Sequence, residues 1–461
     1  MRRKAISRTA LWAIIAIVVI VVVVGGVAAY YATRPPPPKP APTPTPTHAI
    51  VGQVTFALVT SLTGPLGPAG EEELWGAQLA VSQINQQGGI YLANGPNGPG
   101  NYTINLVWQD DQSNPSVGPT VIAQVVTAYH PAILILGQAS AVTVSEMPLI
   151  RQYAIPTIDP SATALSVMYP NYSGFDPADY MVFKVTPPDI YMSKYYAEWL
   201  MSIKNQVAPN RPLRIAYIGQ DSALGRDYFW GLNNTIYQNG WQNQLQIVYV
   251  GYYPAGSTQY QSMLAAVAAT HPDVIASGSW PDEFIAQVQQ AAEVPSLKGV
   301  IMSTMSIIDD DPSVYQMAGP AGNGIFIESG APTTALTSNA TFNAILESFI
   351  KEYSAMTGHT PGWTSFDGHA AVWVAAYALE EAGTTNSTAV IRTLETMPPI
   401  PPSDLVVAVK TTSTLFDPEH VYHAQFFMLE AFWNSTSQSL YTKVVWPPQY
   451  ATTSPTFTGL P

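Results

Sequence analysis

The sequence contains no cysteine. Disulfides, thiolate catalysis and Cys-ligated metal sites are thereby excluded, as is a lipid-modified cysteine that could attach the chain to a membrane. Charge is also scarce: Asp, Glu, Lys and Arg together supply 11% of 461 residues, less than half the usual share of a soluble protein. Basic residues are the scarcest, with 18 Lys and Arg against 31 Asp and Glu. Six of those 18 (Arg2, Arg3, Lys4, Arg8, Arg34, Lys39) lie in the first 50 residues, which hold no acid, so twelve bases face 31 acids in the rest, a net charge of −19. Phosphate binding needs clustered Lys and Arg, so neither nucleic acid nor anionic lipid is expected as a partner.

Catalytic signatures are missing too. There is no P-loop, no His-Glu-x-x-His and no Gly-x-Ser-x-Gly, so no cofactor is expected. Of seven His residues only His420 and His423 are close in sequence, and no third metal ligand stands beside them. Glu71-Glu-Glu73 and Asp309-Asp-Asp311 could supply a carboxylate pair for glycoside hydrolysis. Each is a continuous run, however, and reads as solvated charge. The chain is therefore not expected to be an enzyme.

What is present is apolar material and length. With 47% hydrophobic residues over 461 positions, two domains or lobes are expected. Residues 1–9 form a basic tail, and residues 10–32 an uncharged, mostly aliphatic run. As a helix that run spans roughly 30–35 Å, enough for a bilayer core, and the basic cluster before it predicts a cytoplasmic amino terminus. This predicts a single-pass membrane anchor with the remainder outside the cell. A cleaved signal segment, giving a secreted protein, is the alternative. Residues 33–50 are rich in Pro and Thr and favour polyproline II; such a stalk extends some 40–45 Å. Six Asn-x-Ser/Thr sequons, at Asn101, Asn171, Asn234, Asn339, Asn386 and Asn434, agree with an exterior location.

From Val51 short β-rich apolar runs alternate with longer helical patterns. Strands are predicted at 54–59, 104–108, 132–136, 157–158, 214–218, 246–249, 274–276, 300–303 and 324–327, and helices at 75–86, 119–129, 192–203, 228–238, 259–269 and 282–292. Such alternation implies an α/β fold with parallel sheets covered on both faces, in which ligands collect at the carboxyl ends of strands. Three strand-to-helix turns have suitable chemistry: Ser61 to Gly70, Gly137 to Ala141 and Asp159 to Thr163. Their hydroxyls and free amides suit a carboxylate or carbonyl oxygen. Ser140, Ser161 and Thr163 could equally be helix caps.

The run from Phe56 to Ile90, with Ser61-Leu-Thr-Gly-Pro-Leu-Gly-Pro-Ala-Gly70 at its centre, resembles the opening of the branched-chain amino acid and amide binding proteins of ABC importers. Asp110 to Pro115, Gly137 to Thr163, Ile215 to Asp221, Ala223 to Arg226, Tyr252 to Tyr260 and Asp367 to Gly383 resemble the same family in the same order. The resemblance implies a type I periplasmic binding protein, in which two doubly wound lobes joined by three crossovers close over a ligand. On this chain it implies lobe 1 at 51–186 and 329–405, lobe 2 at 187–328 and 406–435, and a C-terminal tail at 436–461, with the first crossover at Phe183 to Pro188.

It further implies that Ser140, Ser161, Ala162 and Thr163 hold the carboxylate or carbonyl of the ligand. Leu224 stands where amino acid binders of the family carry a Tyr, and Trp280 is the aromatic that could stack on the ligand or simply belong to the core. No acid clearly matches the family's partner for an α-amino group. Asp309 is the candidate, in a run that also reads as a solvated loop. The implied partners are a small polar solute (a branched-chain amino acid, short amide, urea or small carboxylate) and ABC permease subunits, with the protein itself a monomer. A receptor ectodomain of the same fold is the alternative, disfavoured by a cytoplasmic tail of nine residues.

Overall fold

The computed structural model describes residues 49–168, 177–307, 315–333, 335–406, 413–422 and 424–461. The expected tail and anchor at 1–9 and 10–32 lie outside these residues, as does all but the end of the stalk at 33–50. Among the described residues no helix is long and apolar enough to cross a membrane.

The first half of the chain runs β1 (Ile50–Thr60), α1 (Gly67–Gln86), β2 (Ile90–Leu92), β3 (Gly100–Asp110), α2 (Gly118–Tyr129), β4 (Ile133–Leu136), α3 (Ser140–Tyr153), β5 (Thr157–Asp159) and β6 (Val182–Lys184). Its strands form one sheet in the order β2-β3-β1-β4-β5-β6, parallel except where β2 meets β3. Residues 56–60 of β1 and all four residues of β4 are buried. A strand buried on both faces must be covered on both, which is why these segments read as unbroken apolar runs.

The chain then runs α4 (Asp189–Val207), β7 (Leu213–Gln220), α5 (Ala223–Gln238), β8 (Leu245–Tyr253), α6 (Gln261–Ala269), β9 (Val274–Gly278), α7 (Pro281–Ala292), β10 (Ile301–Ile307) and β11 (Phe326–Ser329). These strands and two later ones, β12 (Phe427–Asn434) and β13 (Ser439–Trp446), make a second sheet in the order β13-β12-β11-β10-β9-β7-β8. Between β11 and β12 come α8 (Ala340–Thr357), α9 (Trp363–Ala382), α10 (Ser387–Thr396) and α11 (Pro402–Leu405), and α9 packs along α1 of the first lobe. The chain thus passes between lobes three times: after β6, after β11 and before β12. The first and third passages are stitched together, Lys184 N donating to His420 O at 2.9 Å and Tyr422 N to Lys184 O at 2.9 Å.

Two differences from the sequence reading matter. The stretch 436–461 is not a loose tail: β13 pairs antiparallel with β12, and Leu460 N donates to Val300 O at 2.9 Å beside β10. Asn101 is 8% exposed and its side-chain amide donates to Gly88 O at 2.9 Å, so this sequon is folded into the first lobe rather than presented for modification.

Helix α9 is buried around nearly its whole circumference, as expected of a helix enclosed by others. Small residues set its crossing with α1. A Cβ on Gly76 would lie 1.9 Å from Ser365 O, and one on Gly368 would lie 2.1 Å from Glu73 O. The two backbones therefore touch where α1 carries Glu73 and α9 carries Ser365 and Asp367, all three buried. That crossing brings carboxyl groups to the ends of β1 and β5.

Candidate ligand-binding site

Strands β4 and β5 are hydrogen-bonded neighbours, so the turns that follow them lie side by side. Ser140 opens α3, and its Oγ accepts the amide of Ala164 at 3.2 Å, tying the first turn to the second. A cap would instead bond its own helix, and α3 has no side-chain cap. No α-helix follows Thr163 directly: the next element is a single 3-10 turn at Leu165–Val167. The cap reading of Ser161 and Thr163 therefore lacks a helix to cap.

The Pro160 to Thr163 turn is held from beneath. Asp159 Oδ1 accepts the amide of Ala162 at 3.0 Å, and Lys184, fully buried, donates from Nζ to Asp159 Oδ2 at 2.6 Å and also to Ala162 O. Ser161 Oγ donates to Glu73 Oε1 at 2.8 Å, while Thr60 Oγ1 donates to Glu73 Oε2 at 2.5 Å. The amide of Ala162 and the hydroxyl of Ser161, both expected to face a ligand, are thus already engaged by carboxylates below the turn. The loop after β1 is likewise engaged, since Leu62 N and Thr63 N donate to Asp110 Oδ1 at 2.9 and 3.2 Å.

Thr163 connects the turn to the other lobe. Its carbonyl accepts Asp189 N at 2.9 Å, and Asp189 is the first residue of α4. Helix α4 packs along α5, and α5 meets the Leu165–Val167 turn across the cleft. Leu224, half-buried near the start of α5, and Trp280, half-buried just ahead of α7, stand beyond the carboxyl ends of neighbouring strands β7 and β9. Trp280 N donates to Glu283 Oε2 at 3.1 Å. Asp309 lies outside the described residues, as does His423. The ring of His420 stacks on Phe183 and its Nδ1 lies 3.1 Å from Val182 O.

Glu73, read from the sequence as part of a solvated acidic run, is instead buried against Thr60 and Ser161. Lys184, Asp189, Glu328 and Asp367 carry no motif of their own and were not singled out as site residues. Burial pushes the Glu73 carboxyl up to about 8, against the hydrogen bonds from Thr60 and Ser161. Burial likewise pushes Asp189 up to about 8, aided by the charge of Asp227 and opposed by the hydroxyl of Thr163, by Lys184 and by Tyr228. Asp367 and Glu328 are held well above the usual carboxylate range, again chiefly by burial. For Asp189 the sequence offered only its place directly after the expected crossover, Phe183 to Pro188.

Residues 53–431 match the family model described as periplasmic binding protein. The chain belongs to that family. Among its relatives, the Leu/Ile/Val-binding protein of Escherichia coli strain K12 is 22% identical over 280 residues, covering 60% of this chain and 68% of that one. A branched-chain amino acid transporter substrate-binding protein of Streptococcus pneumoniae, solved with isoleucine, superposes with a TM-score of 0.65 at 20% identity, covering 86% of this chain and all of the other. A solute-binding protein of an ABC transporter from R. palustris, solved with benzoate, gives 0.59 at 18% identity over 82% of this chain and 93% of the other. As a member of this family the protein has the two-lobed type I architecture and is a solute-binding protein, not an enzyme.

Proposed function

We propose that this periplasmic binding protein is the extracytoplasmic substrate-binding component of an ABC importer. It captures a small polar solute between its lobes and delivers it to permease subunits in the membrane. The observation that carries this reading is the junction of Ser140 and Thr163: two hydroxyl-bearing turns on adjacent strands, joined through Ala164 N and continued through Thr163 O to the first residue of the opposite lobe. A carboxylate or carbonyl oxygen lodged there touches both lobes at once, and a site shared by two lobes is complete only when they close. The aliphatic run at 10–32 and the stalk at 33–50 would hold this domain outside the membrane.

A thermal-shift screen of the full-length chain against amino acids, short amides, urea and small carboxylates tests the reading. A true ligand at 100 times its dissociation constant stabilises the fold by about 2.7 kcal/mol, seen as a rise of a few degrees in melting temperature. A flat response across the whole panel would sink the proposal.

A further inference from the structure

Away from the cleft, the hairpin of β12 and β13 presents chemistry that solute binding does not use. Its strands pair antiparallel, with Phe432 opposite Tyr441 and Asn434 opposite Ser439. Alternate residues of a strand share a face, so Phe432, Asn434, Tyr441 and Lys443 stand together, on the face turned away from buried Ala431, Leu440 and Thr442. The two rings stack at 5.4 Å, and Lys443 Nζ lies 5.4 Å from the centre of Phe432 and 5.9 Å from that of Tyr441. Tyr441 is 45% exposed, on the outermost strand of its sheet. An aromatic edge of that kind invites pairing with other chains unless it is covered.

The turn at the tip of this hairpin carries the sequon Asn434-Ser435-Thr436. Asn434 and Thr436 are both exposed, and Asn434 Oδ1 accepts Thr436 N at 2.9 Å and Ser437 N at 3.3 Å. With that oxygen turned to the backbone, the other end of the amide, Nδ2, is left to the solvent. The other described sequons differ. Asn101 commits its amide nitrogen to Gly88 O, and in the sequon that ends at Thr235 the threonine is buried within α5. Asn339 and Asn386 are exposed, but each caps a helix, α8 or α10, whose first turn holds the rest of the sequon.

A sugar ring has an apolar face of C–H groups, whose slight positive charge suits the negative face of an aromatic ring. A sugar joined to Asn434 Nδ2 begins about 7 Å along the strand from Phe432 and on the same face. We infer that Asn434 is an N-glycosylation site and that its first sugar is seated on Phe432 and Tyr441. The inference rests on the extracytoplasmic location given above. The amide nitrogen attacks the anomeric carbon of a lipid phosphate-linked oligosaccharide. A C–N bond forms as the C–O bond to phosphate breaks; the lipid phosphate leaves with that electron pair, and the amide gives up one proton. Because β12 runs antiparallel to β11, Asn434 lies past Phe326, at the end of lobe 2 opposite the carboxyl ends of its parallel strands. The glycan therefore covers an edge strand without obstructing the cleft.

The full-length protein, purified from the cells that naturally make it, tests this. Mass spectrometry of its peptides should find a glycan on Asn434 and none on Asn101 or in the α5 sequon. Thr436→Ala, expressed in the same cells, keeps the backbone amide that Asn434 holds; it should abolish the modification, and Thr436→Ser should restore it. Nitration of Tyr441 should be about threefold or more faster in Thr436→Ala than in the glycosylated protein, since the sugar shields the ring. Protease added to intact cells reads the location separately. A domain cut from outside whose Asn434 is bare overturns the glycan site and leaves the extracytoplasmic reading standing; a domain beyond the protease's reach, with Asn434 bare, overturns both. A glycan on Asn434 with Tyr441 nitrated at equal rates in the two proteins overturns its seat on the rings.

Discussion

Ser140, Ser161 and Thr163 look alike in sequence, but their hydroxyls stand in different company. Ser161 Oγ is donated to Glu73 inside the first lobe, whereas Ser140 Oγ accepts an amide from the neighbouring turn and keeps its proton available. Substitution should separate them. Ser140→Ala removes a donor from a ligand oxygen in a closed cleft, and Thr163→Val removes the hydroxyl that supports the Asp189 carboxyl where the two lobes meet; in each, affinity should fall by about 5- to 150-fold, or about 1 to 3 kcal/mol. Ser161→Ala instead leaves a Glu73 oxygen without its donor. It should lower unfolding stability by about 0.5 to 1.5 kcal/mol while affinity changes less than threefold. Calorimetric titration beside thermal unfolding of the three variants checks this; the same affinity loss in all three would show that Ser161 also touches the ligand.

Elements, rather than single residues, decided what could be read in advance. The strands at 54–59, 214–218 and 274–276 were legible because a strand buried on both faces is an apolar run whatever packs on it. The three-residue strands β2 and β6 were not, since so short a segment has no period to detect; β5, equally short, was read at 157–158. Nor was the β12–β13 hairpin, whose alternation serves an antiparallel edge on a parallel sheet. Asp189 was illegible for another reason: an acid in the first turn of a helix is ordinary. Its meaning comes only from Thr163, Tyr228 and Glu328, none of them neighbours in sequence. The α1–α9 crossing gives a test at this scale. Gly76→Ala puts a methyl group 1.9 Å from Ser365 O, so the helices must part. Overpacking of that kind should destabilise the fold by about 1 to 3 kcal/mol, read as a lowered denaturant midpoint with an unchanged slope. A midpoint equal to wild type would show that the crossing can yield without loss.

At the scale of the whole molecule, the scarcity of charge at the surface is matched by an unusual population of acids inside it. Glu73, Glu146 and Asp189 are each pushed up to about 8 by burial, from ordinary values of 4.5, 4.5 and 3.8. Between those limits the folded chain holds protons that the unfolded chain has released. Stability is therefore fully present below about pH 4 and is lost progressively as pH rises towards 8, each group contributing a slope of up to about 1.4 kcal/mol per unit. His369 works in the opposite sense. Burial lowers it to about 3 from 6.5, so its contribution is present above 6.5 and lost as pH falls towards 3. His420, also lowered by burial, acts in the same sense, so two imidazoles oppose at least three carboxyls between pH 4.5 and 6.5, and above 6.5 the carboxyls act alone. The melting temperature of the ligand-free protein should accordingly be higher at pH 5 than at pH 8, with a continuous fall across that range. Glu73→Gln, which removes one proton from the balance while keeping an acceptor for Thr60 or Ser161, should make the fall shallower. Calorimetric scans at half-unit intervals would show it, and a melting temperature that rises from pH 5 to pH 8 would mean that these acids are ionised in the fold.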